Sequence, residues 1–300
     1  MDFSWSLVLA GALVGFAVGL TGMGGGALMT PIMVMIFGVD PTTAVGSDLT
    51  SSLVMKPAGA AVHHKAGTIR WDIVRWLLPT AVPAAFAGAF VLRLFGHGDV
   101  LENRLKLAIG GALLLAVLGI IARALLNRRI VMSDEPTRAR PVPTLLIGLV
   151  GGLIVGCTSV GSGSLIIVML MLTHPRLRPN ELVGTDLVQA IPMVGAAAIG
   201  HIVVGDTSFG LVGTVLIGAI PGVIAGSLLS SRAPGGFLRW ALAVLLLGSG
   251  LSLWHVPGLI IVISCAGLPI VALAATSGRR RRAATTGRAT PAARPAGRGS

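Results

Sequence analysis

The sequence predicts an all-α polytopic membrane protein. It reads as an inverted repeat of two glycine-broken re-entrant segments plus about seven full transmembrane helices. Three observations carry this reading. The 300-residue chain is 54% hydrophobic and 11% charged, with a mean hydropathy of +0.88, whereas a soluble fold has about a quarter of its residues charged. Most of its 42 glycines and 17 prolines lie within apolar runs, not in the polar stretches of a disordered chain. The two halves also share Asp, His and Pro in the same order at a nearly fixed offset.

A bilayer core needs about 20 apolar residues per helix. Segments of that kind run near 42–62, 73–95, 104–126, 181–203, 208–230, 237–254 and 257–277. Two others, 5–37 and 143–173, are too long for one helix and short for two. The first breaks at Thr21-Gly22-Met23-Gly24-Gly25-Gly26, the second between Cys157 and Ser164. Two half-length arms around such a break predict a re-entrant hairpin. Met1 to Trp5 lacks the basic region of a cleavable signal and reads as mature chain.

The repeat places Gly15, Gly19, Thr21, Gly24, Gly26 and Leu28 137 residues before Gly152, Gly156, Thr158, Gly161, Gly163 and Leu165. One inserted residue later the offset is 138. Pro41, Gly46, Asp48, Leu49, His63, Gly67, Pro83 and Gly88 then match Pro179, Gly184, Asp186, Leu187, His201, Gly205, Pro221 and Gly226. The expected organisation is a first transmembrane repeat over 1–127 and a cytoplasmic linker over 128–141. A second, inverted repeat covers 142–254, an extra helix 255–277 and a disordered basic tail 278–300.

Lys and Arg in short loops set the orientation. Seven of the twelve net positive charges are arginines between Gly278 and Ser300, which reads as a cytoplasmic stop signal. The stop-signal reading is preferred because the tail directly follows an apolar helix; anionic lipid headgroups are its candidate partner, and nucleic acid is not expected. Counting back, Arg176, Arg178 and the linker arginines fall inside and Gly205-Asp206 outside, while His63 and Arg70 fall inside. Equivalent loops therefore face opposite sides. The loop from Arg93 to Lys106, with three basic and two acidic residues, fits this scheme poorly. The expected location is a cell (inner) membrane.

Inverted repeats with broken helices are the architecture of secondary transporters, with the site between the repeats. Each glycine break opens a short helix whose free N–H groups and dipole can hold an oxyanion. Gly24, Gly25, Gly26 and Gly163 would admit it to the backbone, with hydroxyls from Thr21, Thr158, Ser159 and Ser162. The alternative is close helix packing through small residues. Asp48 and Asp186 lie about 10 Å along helices that start at Pro41 and Pro179. Each reads equally as an ion-coupling carboxylate or as a second helix cap after Gly46-Ser47 or Gly184-Thr185. Lys56 sits on nearly the same face as Asp48, with Ser52 between, and Val194 occupies its repeat position. It reads as an anion ligand, with an ion pair to either Asp or snorkelling as alternatives. His63 and His201 are ion-coupling candidates or interfacial hydrogen-bonders.

Six histidines and two cysteines, Cys157 and Cys265, show no metal-ligand spacing, no disulfide framework and no nucleophilic arrangement. Neither an enzyme nor a cofactor is expected.

The run Gly19-Leu20-Thr21-Gly22-Met23-Gly24-Gly25-Gly26, with Val45-Gly46-Ser47-Asp48-Leu49 and His63 to Gly67, resembles the TauE/SafE family. This family is also called the sulfite exporters or 4-toluene sulfonate uptake permeases. Val183-Gly184-Thr185-Asp186-Leu187, followed by His201 and Gly205, is similar to the same pattern, and the resemblance covers about residues 7–275. It implies a membrane transporter of small sulfur-containing anions, such as sulfite, sulfoacetate or other organosulfonates, coupled to an ion gradient. The alternatives are carriage of another small anion or organic acid, and a non-transporting membrane assembly protein.

Overall fold

The computed structural model describes residues 4–21, 25–65, 67–94, 98–126, 140–163, 165–174, 177, 179–230 and 235–268. Linker residues 127–139 and the basic tail lie outside the described residues. In chain order the helices are α1 Trp5–Thr21, α2 Gly26–Met35, α3 Pro41–Lys65, α4 Trp71–Leu94 and α5 Asp99–Leu126. Next come α6 Pro141–Thr158, α7 Leu165–Thr173, α8 Pro179–Val204, α9 Phe209–Ser230 and α10 Gly235–Leu253. The last is α11, Gly258–Leu268. The described residues contain no strand.

Helix starts follow the capping chemistry. Pro41 opens α3 behind Asp40, whose Oδ2 accepts the backbone N–H groups of Thr42 and Thr43 at 3.0 and 3.1 Å. Pro141 opens α6 behind an extended Arg140. α6 ends at Ser159 in the left-handed region, and Gly161 and Gly163 continue the break at φ of 120° and 115°. Only glycine adopts the last two without strain. The Arg140 N–H donates to His174 Nε2 at 3.1 Å, so the start of α6 and the end of α7 meet. His174 is buried. Loss of hydration, reinforced by the neighbouring Arg140 charge, holds its imidazole below the usual pKa.

The arms of each broken segment are unequal. α1 and α6 have 17 and 18 residues, α2 and α7 only 10 and 9. The glycines arrive after nearly enough apolar residues to cross the bilayer core, so only the second arm is half-length. Among the described residues, five helical stretches are long and apolar enough to span a membrane: Trp71–Leu94, Asp99–Ala122, Pro141–Thr158, Gly184–Val204 and Phe209–Gly226. The expected span at 42–62 is helix α3, long enough at 25 residues. Asp48, Lys56 and its serines keep it outside that apolar group.

Packing carries the repeat into three dimensions. α3 packs on α8 and α5 on α10, each against its own repeat equivalent. α1 instead packs on α9 and α6 on α4, so each repeat's first helix lies in the other half. Equivalent glycines meet equivalent carbonyls. A Cβ on Gly15 would sit 2.3 Å from the Ala219 oxygen, and one on Gly152 2.4 Å from that of Ala81. These approaches require glycine because there is no room for a side chain. Two further bonds repeat as well: Ser208 N–H donates to Ser47 Oγ at 3.1 Å, and Arg70 N–H to Thr185 Oγ1 at 3.0 Å. Arg70 also lies 3.6 Å from Glu181, at the start of α8, whereas Asp206 follows its end. The equivalent turns at Gly67 and Gly205 thus lie at opposite ends of α8, more than about 30 Å apart. The basic loop that fitted poorly is partly neutralised, Arg93 by Asp206 and Lys106 by Glu102.

Gly152→Leu should be destabilising by about 1–3 kcal/mol or more, through overpacking of α6 against α4. Gly213→Ala, where a Cβ meets nothing within 4 Å, should unfold like the wild type. Thermal unfolding in detergent compares the two. A Gly152→Leu protein as stable as Gly213→Ala would disprove the backbone approach.

Candidate functional site

The interior of this apolar bundle holds many buried polar groups along its central helices. Thr30, Ser47, Asp48, Ser51, Ser52, Lys56, Thr158, Ser159, Ser162, Thr185, Asp186 and Gln189 are all buried, on or beside α2, α3, α8 and the break after α6. Burying so many polar groups is costly unless they bond to one another or to a ligand.

Asp48 is the hub. α3 runs unbroken from Pro41 to Lys65 and α8 from Pro179 to Val204, so neither Asp48 nor Asp186 caps a second helix. Asp48 Oδ2 accepts the Thr30 hydroxyl at 2.7 Å and the Ser159 hydroxyl at 2.7 Å. One acceptor thereby ties the short arm of the first repeat to the break of the second. Its Oδ1 has no hydrogen-bond partner among the described residues. Ser52 Oγ lies near the same carboxylate without completing a hydrogen bond.

Lys56 is 3% exposed, which rules out snorkelling. Its Nζ donates to Ser162 Oγ at 3.1 Å, joining the middle of α3 to the second break. Asp186 and Asp48 both act on its charge. On α8, Gln189 Nε2 donates to Asp186 Oδ1 at 3.1 Å, while Gln189 Oε1 is unpartnered among the described residues. Lys56 thus lies within electrostatic reach of two buried carboxylates, in an interior that also holds buried hydroxyls and three hydrogen-bonding atoms unpartnered among the described residues.

The glycine breaks divide in role. A Cβ on Gly26 would lie 2.1 Å from the Ser159 carbonyl oxygen, so this glycine closes the two breaks on each other. Here close packing accounts for the residue. At Gly25 a Cβ would meet Met55 Cε at 3.3 Å, Val18 Cγ2 at 3.5 Å and Ser52 Oγ at 3.7 Å, so this glycine packs on apolar side chains with the Ser52 hydroxyl beside them. Gly163 is buried in the second break beside Ser162. Thr158 turns inward on its own chain, donating to the Ile154 carbonyl at 2.7 Å. Gly24 lies outside the described residues, as do the side chains of Thr21 and His63.

His201 is fully buried but belongs to a separate cluster at the end of α8, with Asp206 and Arg93. The sequence reading overlooked Thr30, Gln189, Asp206 and Arg93. A glutamine three residues after Asp186, in a span too apolar to solvate it, was a legible signal for Gln189. Thr30 and Arg93 acquire meaning only from their partners. A cavity of 620 Å³ between α4, α5 and α6 is apolar, lined by Leu92, Leu105 and Ile154, and reaches Thr158 but neither aspartate.

The chain matches the family described as Sulfite exporter TauE/SafE over residues 7–253, a stretch that ends at the last residue of α10. It is 37% identical over 258 residues to the "Probable membrane transporter protein YjnA" of Bacillus subtilis (strain 168), covering 83% of this chain and 99% of that one. "Probable membrane transporter protein YdhB" of the same organism is 25% identical over 236 residues, 79% of this chain and 94% of that one. A "Probable membrane transporter protein" of Haemophilus influenzae (strain ATCC 51907 / DSM 11121 / KW20 / Rd) is 28% identical over 164 residues, 52% and 56% of the two chains. No solved structure shows significant similarity to the chain. Several apolar helices, a buried charged centre and transporter relatives matched almost end to end agree: the chain is a multi-pass membrane transporter of the TauE/SafE family.

Proposed function

We propose that the chain is a secondary transporter of a small sulfur-containing oxyanion, sulfite or an organosulfonate, driven by an ion gradient. The observation that carries this reading is the buried Lys56 ammonium, set on Ser162 in the break of the opposite repeat. A compact ammonium with rotatable donors suits an oxyanion of no fixed planar geometry. Ser52 Oγ, one helical turn before Lys56 and without a partner among the described residues, supplies a neighbouring donor.

Charge balance supports coupling. With both aspartates ionised, Lys56 leaves the centre at −1, and an added anion would raise the negative charge in a low-dielectric site. Anion entry is therefore tied to a proton or cation on Asp48 or Asp186. Asp48 Oδ1, which lacks a partner among the described residues, is the atom positioned to receive it. We place the protein in the inner membrane with the tail cytoplasmic, the two repeats inverted and the glycine breaks forming re-entrant hairpins.

Purified protein in proteoliposomes, offered sulfite, sulfate, thiosulfate and small sulfonates with and without a proton gradient, tests the reading. Accumulation of sulfite or a sulfonate only under the gradient is the expected result. Flux of carboxylates alone would overturn the substrate class, and gradient-independent flux would overturn the coupling.

A further inference from the structure

The polar cluster at the end of α8 is not used by the site above. His201 Nε2 lies 2.8 Å from the Gly156 carbonyl oxygen on α6. A carbonyl only accepts, so Nε2 carries the hydrogen and a neutral ring presents a bare lone pair at Nδ1. That Nδ1 has no hydrogen-bond partner among the described residues, and the ring is 0% exposed. Facing it at 3.6 Å is Asp206 Oδ2, likewise unpartnered, on a residue 8% exposed. The other carboxylate oxygen is held by Arg93 of α4 at 3.1 Å, and the same guanidinium donates to the Val204 carbonyl at 2.9 Å. Two buried acceptors thus point at each other. While the ring is neutral its lone pair and the carboxylate repel, whereas one proton on Nδ1 turns them into a charge-assisted donor and acceptor.

We propose that His201 and Asp206 form a proton-binding pair that latches the α8–α9 loop against α3. The loop is placed to act on the centre. Where a Cβ on Gly46 would sit, Asp206 O is 2.7 Å away and His201 Cβ 3.0 Å away, and Ser208 N–H donates to Ser47 Oγ. Asp48 is the next residue. Protonation draws Asp206 toward His201 and fixes the loop on the turn of α3 that carries the central carboxylate. Among the described residues, Asp206 from the loop faces the ring at 3.6 Å and Arg93 of α4 binds that carboxylate; Cys157 follows Gly156 on α6, and Asp48 is the acid of α3. Arg93 opposes a second positive charge, but its side chain is 44% exposed, so water screens it. At the repeat positions of Asp206 and Gly156 the sequence has Thr68 and Gly19, so the first copy carries no carboxylate at the equivalent position. The latch belongs to one end of the molecule.

The consequence for ion coupling rests on the transport reading; the proton site does not, and the experiment separates them. Full-length protein labelled with 15N-histidine is titrated by NMR between about pH 5 and pH 8, the range in which histidine charges. The His201 resonances are assigned by their loss in His201→Gln. Nδ1 should gain a proton toward acid while Nε2 stays protonated throughout. In Asp206→Asn the protonated fraction at one acidic pH should fall several-fold. In hydrogen exchange compared at equal pH, the 206–208 amides of either variant should exchange about tenfold faster than wild type in acid and equally in alkali. Wild-type Nδ1 unprotonated across the range would overturn the proposal, even if both variants fail to fold. So would a response to sodium at fixed pH with none to pH. A confirmed latch in a protein that moves no sulfur oxyanion would refute the substrate reading alone.

Discussion

Lys56→Gln should weaken sulfite binding by about tenfold to a hundredfold while leaving the fold intact. A hydrogen bond to a charged group contributes roughly 1.5–3 kcal/mol, which converts to that range in Kd. Glutamine is neutral and one bond shorter than lysine, so the loss combines the missing charge with a lengthened contact to Ser162. Titration of sulfite into purified protein at constant ionic strength measures it. Lys106→Gln, whose ammonium pairs with Glu102 one helical turn away, is the control. Unchanged affinity in Lys56→Gln would leave the Ser52 and Ser162 hydroxyls as the anion's only ligands.

Asp48→Asn should lower gradient-driven accumulation at least tenfold, with anion exchange falling much less. Asparagine keeps an acceptor for Thr30 and Ser159, so the tie between the two breaks survives at roughly half strength. What disappears is a site able to take up and release a proton. Counterflow and gradient-driven uptake of labelled sulfite, measured in the same vesicles, separate these effects. Accumulation equal to wild type would move coupling to Asp186. Asp48→Leu serves as a structural comparison, because it leaves two buried hydroxyls unsatisfied at about 1–3 kcal/mol each.

Much of the plan was legible because membrane burial imposes simple demands on sequence. Apolar runs of span length, interrupted twice by glycines, marked the long helices and the two breaks. The ordered matches from Pro41 to Gly88 and from Pro179 to Gly226 marked the duplication. Asp48, Asp186 and Lys56 stood out because an ionisable side chain in an apolar span is costly enough to need a reason. The same logic extended to Gln189 would have completed the α8 half of the site.

By itself, then, the sequence determined the membrane setting, the repeat and the charged residues of the centre, since each follows from composition or spacing along one helix. Tertiary structure decided what those residues do to one another. Asp48 is a hub because Thr30 and Ser159, 18 and 111 positions away, bring their hydroxyls to one of its oxygens. Gly26 is a packing contact because the Ser159 carbonyl occupies the place of its side chain, whereas Gly25 beside it meets only side chains, Met55, Val18 and Ser52. His201 gains a chemical partner only because a turn at Gly205 folds Asp206 back toward it. Hydrogen bonds and close contacts act over about 3 Å, and which atoms come that near is set by helix packing between repeats, not by order along the chain.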